Sequence, residues 1–297
     1  MPMTTDRTPA RLDAAATPSA THVLDRDGHG VAYDDTGAPP VVDGSDRPTI
    51  VAIPGMGDRR QVYRHLTPLL VAAGHRVVTM DLRGMGESSA DWPARTDYSD
   101  TAIASDVVAL IDALDLHDVV LVGNSLGAAA AVLATVDAPT RVRGMVLIGP
   151  FVRAVPMPWW QAAAFRALLA PPWGRKAWVG YYGSKLYPGP KPADLDAYVA
   201  NLGRTMAEPG RMAALRSLAA NTHAESGAVL GEVAVPTVVV MGTADPDFPD
   251  PTAEARTVAD ATGGTVVMVD GSGHYPQADR PEVVAEAIRT VVTLAAR

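Results

Sequence analysis

Short apolar runs, rich in Val and Ile, recur along the chain at 49–53, 76–80, 119–122, 144–148, 237–241 and 265–269. Runs of this length and composition fit strands buried on both faces. Between them the apolar positions return at helical spacing. Tyr63, Leu66, Leu69 and Leu70 do so, as do stretches over 101–114, after Gly127, over 251–261 and from Pro281 onward. Strand and helix in regular alternation predict an α/β fold: a mostly parallel twisted sheet flanked by helices, with right-handed crossovers and a ligand site at the strands' carboxyl ends. The entry differs, because 22–25 and 31–34 flank a Gly-containing turn and predict an antiparallel hairpin. Between Phe151 and about Gly227 the alternation stops, and only helical or irregular sequence punctuated by prolines remains. The expected organisation is a disordered tail over 1–20, a core over 21–150 and 228–297, and an inserted helical cap over 151–227.

Composition sharpens that division. Ten of the chain's 16 aromatic residues fall in the insertion, which reads as a lid, and Trp159, Trp160, Trp178 and Tyr182 are its candidate pocket residues. The formal charge of -8, with no cluster of Lys and Arg, makes nucleic acid an unexpected partner. The absence of cysteine excludes disulfides and cysteine nucleophiles. The first twenty residues lack an apolar signal core, and no run approaches the roughly 20 residues of a membrane span, so a cytoplasmic protein without a membrane partner is expected.

The candidate chemistry begins at Gly123-Asn124-Ser125-Leu126-Gly127, which follows one apolar run and opens an alanine-rich helix. This is G-x-S-x-G between strand and helix. A serine on so sharp a turn takes strained backbone angles, and the residues two before and two after it must then carry almost no side chain. Ser125 is thereby raised at a helix N-terminus, where the amide of Leu126 can face a developing oxyanion.

With these motifs the sequence resembles the α/β-hydrolase superfamily. The resemblance implies an α/β-hydrolase fold and a triad in the order serine, acid, histidine. Of seven histidines only His274 follows the last predicted strand, so it is the candidate base. Gly242-Thr243-Ala244-Asp245 resembles the superfamily's acid-bearing turn, which makes Asp245 the candidate acid. Asp247 reads as solvated loop, and Asp250 as the cap of the following helix. His75 and His117 read as surface residues. Gly55-Met56-Gly57 occupies the place of the second oxyanion donor, pairing the Met56 amide with that of Leu126; Pro54 stands where most relatives have His. Asp81-Leu82-Arg83-Gly84-Met85-Gly86-Glu87-Ser88 resembles a structural turn of the same superfamily, with Arg83 bonding nearby carbonyls.

The expectation is thus a serine hydrolase acting on a largely apolar carboxylic ester or lactone through an acyl-enzyme, with no cofactor and no metal. A C-C bond hydrolase of ring-cleavage products is the alternative, in which Arg59, Arg60 or Arg83 would hold a dienoate carboxylate. A non-enzymatic ligand-binding protein of the same fold is the other. Dinucleotide binding lacks its third glycine, and calcium binding lacks its loop pattern.

Overall fold

Each apolar run forms a strand, and together they make one sheet. The computed structural model describes residues 21–37, 47–154 and 158–296. The tail expected over 1–20 and much of the connection before Pro48 lie outside the described residues. The strands are β1 (His22–Arg26), β2 (His29–Asp35), β3 (Thr49–Ile53), β4 (Val77–Met80), β5 (Val119–Asn124), β6 (Val142–Ile148), β7 (Thr237–Gly242) and β8 (Thr265–Val269). They lie in the order β1-β2-β4-β3-β5-β6-β7-β8. β1 and β2 pair antiparallel, and β2 meets β4 antiparallel. The pairings from β4 through β8 are all parallel.

The helices are α1 (Thr67–Ala72), α2 (Asp100–Ala113), α3 (Leu126–Asp137), α4 (Trp159–Leu168), α5 (Gly174–Ser184), α6 (Leu195–Thr205), α7 (Arg211–Leu218), α8 (Ala224–Val229), α9 (Pro251–Thr262), α10 (Pro276–Asp279) and α11 (Pro281–Ala295). α1 and α11 cover one face of the sheet, while α2, α3 and α9 cover the other. β5, at the centre, is buried along its whole length. Local signals set several boundaries. Ser99 Oγ accepts from the Ala102 amide at 3.2 Å to cap α2. Asp250 Oδ1 accepts from the Ala253 amide at 2.9 Å to cap α9, as its position predicts.

Two expectations are corrected here. Tyr63 closes a 3-10 turn (Arg60–Tyr63), Leu66 is the N-cap of α1, and only Leu69 and Leu70 lie within α1. Pro68 is the reason: it has no N–H and its ring would clash with a helical carbonyl four residues back, so it can only sit in the first turn of a new helix. His75 is buried, not superficial, with Nδ1 2.9 Å from the Pro48 carbonyl.

Among the described residues five helices, α4 to α8, lie between β6 and β7. α4 packs on α5 and α5 on α6, but α8 packs back on α2 and α3. The two stems are fastened together where Ser226 Oγ donates to the Val152 carbonyl at 3.0 Å. Arg153 adds an ion pair to Glu254 of α9, Nε to Oε1 at 3.0 Å. Among the described residues no helix is long and apolar enough to cross a membrane.

Candidate active site

Ser125 ends β5 and opens α3 with φ 56° and ψ -124°, a conformation that costs an L-residue on the order of 1–3 kcal/mol. Its neighbours explain why the turn needs glycine. A Cβ on Gly123 would stand 2.4 Å from the Gly127 carbonyl oxygen, and one on Gly127 2.4 Å from that of Ile53. Gly55 approaches Ser125 from β3, since its Cβ would lie 2.8 Å from the serine Cβ. The Leu126 amide therefore opens α3, where the first N–H groups have no partner within the helix, and the Gly55-Met56 segment lies against the serine.

His274 and Asp245 are brought together as the sequence order requires. His274 Nδ1 lies 2.7 Å from Asp245 Oδ2, with both side chains buried. A carboxylate accepts, so in the neutral ring the proton resides on Nδ1 and Nε2 is left as an acceptor. Gly149, at φ 49°, makes room for the pair, because a Cβ there would be 3.0 Å from His274 Nδ1. Burial pulls the imidazole pKa down, but the Asp245 and Asp247 carboxylates and the Asp245 hydrogen bond outweigh it and raise it to about 9. Asp247 is therefore not the solvated loop residue expected. Its Oδ2 is 3.7 Å from His274 Nδ1, its Oδ1 accepts the Tyr181 hydroxyl, and its amide donates to Asp245 Oδ1 at 3.0 Å. Burial pushes its carboxyl above the usual carboxylate range. The donor atoms of Asp245, Asp247 and His274 lie within 4.8 Å of one another, a grouping that could hold a cation. The Nδ1–H bond to Asp245 occupies the ring nitrogen such an ion would take.

Sequence reasoning missed the parts that Asn124, Asp58 and Tyr198 play in this site. Asn124, beside the serine and fully buried, donates from Nδ2 to the Ile148 carbonyl at 3.1 Å and to that of His274 at 3.2 Å. It ties the turn bearing Ser125 to the loop bearing His274. Asp58 follows the Gly55-Met56-Gly57 loop and is buried, its Oδ1 accepting Tyr198 OH at 2.6 Å and its Oδ2 accepting Tyr182 OH at 2.8 Å. Burial raises the Asp58 carboxyl to about 6 against the lowering influence of these hydroxyls, the Arg59 amide and the Arg59 charge. Trp178 completes the grip by donating from Nε1 to the Gly57 carbonyl at 3.0 Å. Two inserted helices, α5 and α6, thus hold the loop carrying the Met56 amide. The tyrosines come 124 and 140 residues after Asp58, so no local pattern pairs them. Helical spacing does put Trp178 and Tyr182 on one face of α5.

Of the four candidate pocket residues, Trp178 and Tyr182 are buried against this loop, whereas Trp159 and Trp160 stand on the solvent side of α4. The reason is helical phase: Phe165 and Leu168 hold the inner face of α4, and the two indoles project from the other. The aromatic groups around His274 are Phe151 and Tyr275, with ring centroids at 6.1 and 5.2 Å, and Phe248 at 6.5 Å. The candidate arginines are engaged elsewhere. Arg60 is buried among Asp81, Asp34 and Glu87. Arg83 reaches Asp106 with Nε to Oδ2 at 2.5 Å and Nη2 to Oδ1 at 2.7 Å, besides the expected carbonyl, that of Asp97, at 3.1 Å. The Arg59 guanidinium lies over the Tyr198 ring, 5.3 Å from its centroid.

Comparison with known proteins follows the same outline. Residues 50–287 match the alpha/beta hydrolase family. A 2-hydroxy-6-oxononadienedioate/2-hydroxy-6-oxononatrienedioate hydrolase of Paraburkholderia xenovorans (strain LB400) is 30% identical over 239 residues, 77% of this chain and 80% of that protein. A karrikin insensitive 2 receptor of Petunia hybrida is 25% identical over 248 residues, 81% of this chain and 90% of that one. Among solved structures, an esterase from Exiguobacterium antarcticum superposes with a TM-score of 0.76 at 20% identity, over 93% of this chain and 99% of that one. The family match runs from β3 into α11, so it takes in the serine turn, the insertion and the histidine loop alike, and the chain belongs to the alpha/beta hydrolase family.

Proposed function

We propose that this protein is a serine hydrolase that cleaves an uncharged, largely apolar carboxylic ester or lactone through an acyl-enzyme. His274 Nε2 takes the proton from Ser125 Oγ as the oxygen attacks the carbonyl carbon, and the oxyanion so formed accepts from the amides of Met56 and Leu126. The same proton passes to the departing alkoxide, and a water activated by His274 then releases the acid and frees Ser125. Asp245 keeps the imidazole in the tautomer that accepts at Nε2. The expectation of a lid over the substrate stands here as a proposal, with Trp178 and Tyr182 as its members nearest the oxyanion loop.

The engagement of the arginines carries the choice of an uncharged substrate. Arg60 and Arg83 are already committed to buried carboxylates, and the rings around His274 are aromatic. Against this, the Paraburkholderia relative is named for a dioate, and its 30% identity favours the C-C bond reading as the second one. Such a substrate would need cationic partners, and of the three arginines only Arg59 lies outside the buried ion pairs.

Steady-state kinetics on neutral esters and lactones of increasing acyl or ring size, run beside a vinylogous diketo acid, separates the two. Burial of apolar area contributes about 0.8 kcal/mol per methylene, so kcat/KM should rise about fourfold with each one until the pocket fills. Faster turnover of the diketo acid, or indifference to apolar size, overturns the ester reading. No turnover of any activated ester would favour a receptor.

A further inference from the structure

We infer that the solvent side of α4 docks the protein on an anionic lipid surface. A surface helix normally turns its charged residues outward and its apolar stripe inward. α4 keeps Phe165 and Leu168 on its inner face but also carries a second apolar stripe on the solvent side. Trp159, Ala163 and Ala167 follow one another at i, i+4 and i+8, with Trp160 and Ala164 beside them, and all five are exposed. Trp173 extends this stripe, because its indole N–H donates to the Ala167 carbonyl at 2.8 Å and so seats the ring at the far end of the helix. The three indoles are 82%, 57% and 54% exposed.

Charge identifies the partner. The chain carries a formal charge of -8, yet no Asp or Glu occurs anywhere from Ala138 to Ala193. Within 151–193 stand six cations; Arg153 is paired with Glu254, whereas Arg166 of α4 and Lys176 in the first turn of α5, three residues after Trp173, are exposed. Tryptophan beside Lys and Arg is the pairing suited to a membrane interface, where the ring settles among the headgroups and the cation meets lipid phosphate. A second copy of this chain fits less well. A two-fold contact would set each cationic stripe against itself, with no acidic residue in the segment to pair with it. The expectation of no membrane partner came from the lack of a spanning run, and a face that lies on the surface needs none. This inference holds whichever bond the enzyme cleaves.

The test mixes the full chain with vesicles of phosphatidylcholine, alone or with an equal part of phosphatidylglycerol. The protein should sediment with the anionic vesicles, with a blue shift of tryptophan emission, and come off as salt shortens the Debye length to about 3 Å at 1 M. A Trp159→Ser, Trp160→Ser double variant should lose at least about tenfold in partitioning with its thermal midpoint unchanged. If that variant is unstable, Arg166→Glu with Lys176→Glu decides, and a loss of more than about twentyfold is expected, since each cation near such a surface contributes about fivefold. Equal binding to both vesicles, no binding, indifference to the charge pair, or dimerisation that the tryptophan variant abolishes would each overturn the proposal.

Discussion

At His274, two carboxylates act on one imidazole, and their distances divide the work. Asp245 Oδ2 at 2.7 Å makes the hydrogen bond, whereas Asp247 Oδ2 at 3.7 Å contributes charge. Replacing Asp245 by Asn removes the acceptor that sets the tautomer, and turnover should fall by about 10⁴, the loss measured when a serine-protease triad loses its carboxylate. Asp247→Asn should keep most of the turnover and change its pH dependence instead. A base raised to about 9 is protonated at neutral pH and becomes competent only as pH rises. Removing the Asp247 charge destabilises the imidazolium, so the acid limb of kcat/KM should move to lower pH. A limb that stays in place, or a larger loss of turnover at 247 than at 245, reverses the assignment. For the serine, Ser125→Ala should fold with an unchanged melting midpoint and lose several orders of magnitude in turnover. A fluorophosphonate should label the wild-type protein at Ser125 alone; labelling elsewhere would refute its role as nucleophile.

The element that most repays attention is the loop after β3, because α5 and α6 hold it from the insertion side. Tyr198 and Tyr182 each satisfy one oxygen of a buried Asp58 carboxylate, and the peptide bearing the Met56 amide lies two residues away. Burial raises the Asp58 pKa to about 6, above its unfolded value, so the native state favours the protonated form. The group's contribution to stability is therefore greatest at low pH, declines as pH rises through about 6, and is a fixed cost above that. Tyr198→Phe deletes a donor that matters most once Asp58 is charged. An unsatisfied buried group costs about 1–3 kcal/mol, and more when ionised, so the variant should lose more stability at pH 8 than at pH 5. Denaturant unfolding at both values measures it, and an equal loss at both would contradict the account. kcat should fall with little change in KM if the loop positions an oxyanion donor. The Gly55-Met56-Gly57 motif made this loop legible in the sequence. Its clamp was not, because the partners of Asp58 lie on helices whose packing no periodicity encodes. For the same reason Trp159 and Trp160 could be assigned to a helix but not to its inner side.

On the scale of the molecule, the sheet was legible because a fully buried strand leaves a continuous apolar run, and β3, β5 and β7 start where those runs start. α10 was not, being a single turn after His274. The whole fold also acts on one residue. β3 and α3 press on the serine turn so closely that only glycine fits at 123 and 127, and Ser125 is held at φ 56° by that surround. Such strain persists only when the rest of the structure over-determines it, which makes it readable in global stability. Ser125→Gly should relieve about 1–3 kcal/mol of it while adding about 0.5–1 kcal/mol of unfolded-state entropy. The net gain of about 1 kcal/mol should raise the melting midpoint by about 2–4 °C even as activity is lost. Gly127→Ala, whose Cβ would meet the Ile53 carbonyl at 2.4 Å, should lower the midpoint sharply, because a backbone atom cannot step aside as a side chain can. Calorimetry on the two variants and the wild type makes the comparison. A Ser125→Gly protein that melts below the wild type would mean that the serine turn is not strained by its surroundings.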